Sequence, residues 1–198
     1  MTPLLPDRRR ALLCLGAAAC LPWRAMAASP TLPGNSVYQL QAKLVDQDGR
    51  AFEWSALRGN PLLVSMFYSS CEMVCPLIFE TVHRTLKALP APQRSALKVL
   101  MISFDPARDT VAVLKKTAEL HGCDAQWTLA RCDDTTVRKI AAALGIQYRR
   151  LASGEFNHSS VIEFLDEEGR IAARSGTLGS VDPAFVSSIV AASRWPAR

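Results

Sequence analysis

NPLLVSMFYSSCEMVCPLIFETVHRTLKALP, residues 60–90, holds a strand, a loop and a helix in direct succession. Asn60-Pro61 introduce Leu62-Leu63-Val64-Ser65-Met66-Phe67. A short run this apolar reads as a central strand buried on both faces. Tyr68 to Cys75 form the loop. Pro76 suits the first turn of a helix, where its missing N–H leaves nothing unsatisfied. Leu77, Ile78, Val82, Leu86 and Leu89 then recur at helical spacing until Pro90 and Pro92 end the pattern.

Downstream, Leu97 to Phe104 reads as a second buried strand. Asp109-Thr110 cap a helix that runs to about His121-Gly122. Thr128-Leu129 fit a short strand, and Thr135 to Leu144 a helix closed by Gly145. Ile146–Leu151 and Ser160–Asp166 look like strands, and Glu167-Glu168-Gly169 turn the second back onto Arg170 to Arg174. Asp182-Pro183 start a last helix reaching about Ser193. Upstream, Val37 to Trp54 alternate around Asp48-Gly49 as a hairpin. This order predicts an α/β chain with a thioredoxin-like fold, an N-terminal β-hairpin and an inserted hairpin/helix. The loop with the two cysteines falls at a strand-to-helix edge, where such sheets generally bind ligands.

The chain has 198 residues, 49% hydrophobic, 21% charged and 7% aromatic. That composition fits one folded domain and excludes a disordered, collagen-like or polytopic membrane protein. Residues 1–27 read as an export signal. Arg8-Arg9-Arg10 form its positive end, Ala11 to Pro22 its apolar stretch and Ala25-Met26-Ala27 its cleavage signal. RRRALL also resembles a twin-arginine signal, and Ala17-Ala18-Ala19-Cys20 faintly resembles a lipoprotein box. Residues 28–36 are a flexible lead-in, and 37–198 form the folded domain. The expected location is the periplasm or the outer face of the inner membrane, with a membrane tether through the N-terminus as a further option. The signal holds four of the 23 basic and one of the 18 acidic residues. The remainder, 19 basic against 17 acidic, has no electrostatic footprint for nucleic acid.

Export removes Cys14 and Cys20 and leaves Cys71, Cys75, Cys123 and Cys132. Cys71 and Cys75, with three residues between them, fall on one side of a helical turn. Cys75 is expected at the helix N-terminus, where the backbone favours a thiolate. Two adjacent thiolates suit a soft metal, above all Cu(I), and equally a reversible disulfide. Three histidines are candidate third ligands. His83 lies two turns along the helix, too far to converge with both sulfurs. His121 ends a helix, where a cation is favourable in any case. His158 precedes the strand Val161–Leu165 and can face the cysteine loop, although position alone leaves an ordinary histidine equally open. Cys123 and Cys132 are expected to pair as a structural disulfide, with an accessory metal or redox pair as the sharper alternative.

FYSSCEMVCP (67–76), SFDPARDT (103–110) and NHSSVIEFLDEEGRI (157–171) follow one another in the order and spacing of the Sco/SenC family, and the resemblance covers roughly residues 36–193. Members are copper metallochaperones of cytochrome oxidase assembly. The resemblance implies one copper ion, Cu(I) or Cu(II), bound by Cys71, Cys75 and His158. It also implies a copper-accepting partner, cytochrome c oxidase subunit II, whose CuA site receives the ion or has its cysteines reduced. Asp105 and Asp109 match the family's acidic motif and read as loop and cap residues supporting the site. Many members have proline where this chain has Glu72. Met73 reads as a packing residue that could add a soft thioether.

Two functional classes follow. In a non-enzymatic copper carrier, the three ligands leave an open side for exchange with an acceptor. In a thiol-disulfide oxidoreductase, Cys71 and Cys75 are the redox-active pair and His158 is a neighbour. A peroxide-reducing thiol enzyme is a weaker third, since it would favour one low-pKa cysteine with a Thr and an Arg placed around it, and the sequence does not single out such a set.

Overall fold

The computed structural model describes residues 31–192. Residues 1–27, read from the sequence as an export signal, lie outside the described residues. In chain order the strands are β1 (Lys43–Asp46), β2 (Ala51–Glu53), β3 (Leu62–Phe67), β4 (Lys98–Ser103), β5 (Trp127–Arg131), β6 (Tyr148–Arg150), β7 (Phe156–His158), β8 (Ile162–Leu165) and β9 (Ile171–Ser175). The α-helices are α1 (Val74–Ala88), α2 (Ala91–Ala96), α3 (Val111–Leu120), α4 (Asp134–Ala143) and α5 (Pro183–Ala192).

All six residues of β3 are buried, because β3 lies inside a seven-stranded sheet ordered β2-β1-β5-β4-β3-β8-β9. β3, β4 and β5 are parallel, while β1, β8 and β9 each pair antiparallel. Parallel neighbours need crossover connections, and helices supply them here. The result is the thioredoxin-like α/β fold expected from the element order. Phe67 and Phe79 meet edge to face at 5.3 Å between ring centres, fixing α1 against β3. Ile78, Val82, Leu86 and Leu89 are buried as their spacing requires, but Leu77 is 40% exposed.

Five expectations change. The two prolines end α1 but also start α2: Pro90 precedes it and Pro92 stands in its first turn, where neither needs an N–H. The segment before β8, to which its sequence pattern assigns no element, is a strand. Tyr148 pairs with His158, Arg149 with Asn157 and Arg150 with Phe156, so β6 and β7 form a separate two-stranded ladder that carries the histidine. The first hairpin is shorter than its alternation suggests, since Val37–Gln39 is a 3-10 turn. Ser36, assigned to the flexible lead-in, is buried, and its hydroxyl donates to the Glu168 carbonyl and accepts from the Tyr38 N–H.

The fifth concerns Cys123 and Cys132, which are free thiols. They flank β5, whose five residues hold about 13 Å of extended backbone. A disulfide needs Cα atoms within about 7 Å. Burial raises both thiols to about 12, which disfavours the thiolate form that exchange and ligation use.

Gly169 closes the β8–β9 turn at φ 77°, and a Cβ there would collide with the Tyr38 ring. The ring is buried and cannot swing away. Gly169→Ala is therefore expected to destabilise the fold by about 2 kcal/mol, through left-handed backbone and overpacking together. Urea unfolding measures this as a lower midpoint at unchanged slope.

Candidate metal centre

The cysteine loop leaves the C-terminal end of β3 and turns sharply, with the Cys71 N–H donating to the Tyr68 carbonyl. Asp109 holds it in place. This side chain is 1% exposed. It accepts from the Ser69 N–H, from the Ser69 hydroxyl and from the Ser103 hydroxyl at the end of β4. The sequence suggests Asp109 as a helix cap, but Thr110 caps α3 by accepting from the Val113 N–H. Asp109 instead joins the ends of two parallel strands. Its neighbour Asp105 donates its N–H to the Ser103 hydroxyl at 2.9 Å.

The two sulfurs face different surroundings. Residues 71–75 wind into the first turn of α1, and the Cys75 N–H points at Cys71 Sγ, 3.4 Å away. Met73 precedes the helix without a side-chain cap, so the Cys71 sulfur serves as the acceptor there. Partial burial would push the Cys71 thiol up, but the N–H groups of Cys75, Met73 and Val74 outweigh it and hold the thiol below its ordinary value. Cys75 is only 3% exposed. Burial pushes its thiol well up, and the neighbouring Cys71 charge adds to that, against the Tyr68 backbone. The expected thiolate at Cys75 is thus reversed: position near a helix start is not enough when the side chain points inward, and the dipole acts on Cys71.

His158 ends β7. Its ring lies 4.8 Å from that of Phe104 and 6.0 Å from that of Tyr68, between centroids. Its Nδ1 stands 3.2 Å from the Ser159 carbonyl. A carbonyl only accepts, so Nδ1 carries the proton and Nε2 keeps a free lone pair. Burial lowers the imidazole pKa, partly opposed by that carbonyl. Lowering keeps the ring neutral at pH 7, the form that ligates metals.

Two contacts tie the β6–β7 hairpin to the sulfur side. Arg108 is ion-paired to Asp105 and donates to the Gly154 carbonyl at 2.7 Å. The Tyr68 hydroxyl donates to Glu155 at 2.7 Å. Residues 105–109 therefore brace both halves of the site. The sequence carried a signal for this in SFDPARDT, but not for Tyr68 or Glu155, whose pairing needs the tertiary fold.

Cys71 and His158 line one cavity of about 600 Å³, with Tyr68, Met73, Glu155 and Phe156 among its walls. Cys75 lies behind Cys71. The donor types fit a soft cation. Among the described residues, however, no three His, Cys, Asp or Glu side chains stand close enough together to hold a metal ion. The structure brings the sulfurs together and sets the imidazole across the cavity from them. His83 and His121 are elsewhere: His83 Nε2 meets the His121 carbonyl at 2.9 Å, and the His121 ring stacks on Phe79 at 4.1 Å.

Comparisons with known proteins bear on the family and the fold. The SCO1/SenC family profile matches residues 33–187. A protein of Stutzerimonas stutzeri named for copper binding is 34% identical over 120 residues, which are 57% of this chain and 59% of that protein's length. Among solved structures, Bradyrhizobium japonicum ScoI with copper bound superposes with a TM-score of 0.65 at 22% identity, covering 79% of this chain and 98% of that one. Yeast Sco1 with copper bound gives 0.64 at 22% identity, covering 76% and 85%. At these identities the superpositions establish the fold.

The asymmetry between the sulfurs has a direct readout. Iodoacetamide should alkylate Cys71 first, with a rate midpoint below the ordinary thiol value of about 8.5, while native Cys75 stays protected. Peptide mass mapping across a pH series checks both. Asp109→Ala strips the acceptor from three donors and should cost about 3 kcal/mol in urea unfolding, together with faster alkylation of Cys75.

Proposed function

Because the chain belongs to the SCO1/SenC family, we propose that it is a copper chaperone working in the periplasm or on the outer face of the inner membrane. Cys71 and Cys75 supply two thiolates, His158 supplies a neutral imidazole, and the cargo goes to the CuA centre of a respiratory oxidase through its subunit II. The observation that carries this reading is the cavity shared by Cys71 and His158. Two soft sulfurs select Cu(I), and a three-ligand set leaves one side open for ligand exchange. Zinc suits the same atoms but prefers four ligands in a closed structural site.

Binding requires two adjustments by this chain. Cys75 gives up its proton, since a thiolate is the ligand. The hairpin carrying His158 moves toward the cysteine loop, which its independence from the main sheet allows. The exported location rests on residues 1–27 alone. Among the described residues no helix is long and apolar enough to cross a membrane.

A second reading is favoured by one observation. Cys71 has a depressed pKa while Cys75 is buried beside it. That asymmetry suits an attacking thiolate with a resolving partner. On this reading Cys71 attacks a disulfide of the copper-site partner. That releases one partner thiolate and forms a mixed disulfide; Cys75, deprotonated, then attacks the Cys71 sulfur and expels the second partner thiolate, leaving the Cys71–Cys75 disulfide and a reduced partner.

His158→Ala separates the readings. Competition with a chromophoric Cu(I) chelator under anaerobic conditions gives the affinity. Loss of an outer support for a metal ligand typically costs 10–100-fold, and loss of a ligand itself should exceed about 100-fold. Cys71→Ser and Cys75→Ser should lose more, with the fold intact by circular dichroism. Undiminished copper affinity in His158→Ala, with normal thiol exchange, would overturn the carrier reading in favour of the reductase.

A further inference from the structure

Met73 does not pack. It is 80% exposed, more than any other large apolar residue described. Exposing a methionine forgoes about 2 kcal/mol of burial, so the ordinary expectation of a packing residue fails here. Leu120, 78% exposed, is comparable but ends α3, far along the chain from the cysteine loop. Met73 is instead a wall of the same cavity as Cys71 and His158. One residue separates it from each cysteine, which keeps each pair of Cα atoms within about 7 Å. Its own N–H also points toward the Cys71 sulfur.

The three sulfurs of this loop are graded by exposure. Met73 is open to solvent, Cys71 is half-buried, and Cys75 is 3% exposed behind it. An ion arriving from outside cannot meet Cys75 first. A thioether is soft, polarizable and carries no proton, so it takes a soft cation without acid–base cost.

We propose that Met73 is a landing ligand for Cu(I) at the mouth of the cavity, binding the ion transiently as it passes between an outside carrier and Cys71. The inference deepens the carrier reading and rests on it. The step is ligand exchange without electron transfer. A thiolate of the incoming carrier leaves as the Met73 sulfur binds, and the Met73 bond breaks as the inner ligands close. On release the order reverses, so Met73 governs uptake and release alike.

Met73→Leu tests this, because leucine keeps the apolar bulk and removes the sulfur. Cu(I)–glutathione serves as donor to the reduced full-length chain, and a Cu(I) chelator as acceptor, both followed by stopped flow. Both transfer rates should fall about tenfold, equivalent to a barrier raised by about 1.4 kcal/mol. Leu120→Ala should leave both rates unchanged. In Cys75→Ser carrying 13C-methyl methionine, the Met73 methyl resonance should shift on adding Cu(I). Normal rates in Met73→Leu overturn the proposal, and so does slow transfer in Met73→Ala alone, which would mark an apolar contact. If the unaltered chain fails to bind Cu(I), the carrier reading itself falls, an outcome visible before any Met73 variant is compared.

Discussion

One buried carboxylate decides where the cysteines stand. Asp109 takes hydrogen bonds from the main chain and side chain of Ser69 and from Ser103. These residues follow or end β3 and β4, the adjacent parallel strands of the sheet. A buried carboxylate is costly unless its oxygens are satisfied, so the loop conformation that offers Ser69 to Asp109 is the one the fold stabilises. That conformation also sends residues 71–75 into the first turn of α1. The Cys71 sulfur then meets the free N–H groups of the helix, and Cys75 is carried inward. The unequal thiols thus follow from an anchor two residues before the first of them.

The imidazole is held by different means. β6 and β7 pair only with each other, and the hairpin reaches the sulfur side through Arg108–Gly154, Tyr68–Glu155 and a layer of aromatic rings. The proposed ligand set is split between the loop anchored by Asp109 and a hairpin outside the main sheet, so on that reading it closes without disturbing the sheet. For a carrier this division is useful, because a fully prebuilt cage would release its cargo slowly. A cation that binds the closed arrangement better than the open one shifts the population by that difference in affinity and by nothing else.

Local patterns were legible in the sequence. The strand 62–67, the helix after Pro76 and the turn at Gly169 each carry a period or a residue type that dictates the backbone. The cysteine pair and His158 stood out by chemistry. What escaped depends on distant neighbours. The Phe156–His158 strand is three residues long and forms only because Tyr148–Arg150 lie opposite. Asp109 looked like a cap because aspartate beside a helix start usually is one, and only Ser69 and Ser103 redirect it. The pKa order of Cys71 and Cys75 turns on which sulfur points outward, a matter of rotation about α1 that spacing cannot give. Cys123 and Cys132 suggested a bond by number and compartment, whereas β5 separates them.

The orientation of His158 bears on how the two proposed chemistries relate. With Nδ1 committed to the Ser159 carbonyl, only Nε2 is free to act, and lowering of the pKa by burial keeps it unprotonated. A neutral imidazole with one free lone pair ligates metal well. It is also a proton acceptor, but a proton taken there would create a charge in surroundings that disfavour it. The same environment therefore supports ligation and opposes use of the ring as a base for thiol exchange. Thiolate formation at Cys71 needs no such base, since the helix N–H groups already stabilise the charge. Carrier and reductase chemistry would then share the sulfurs and differ only in whether the imidazole takes part.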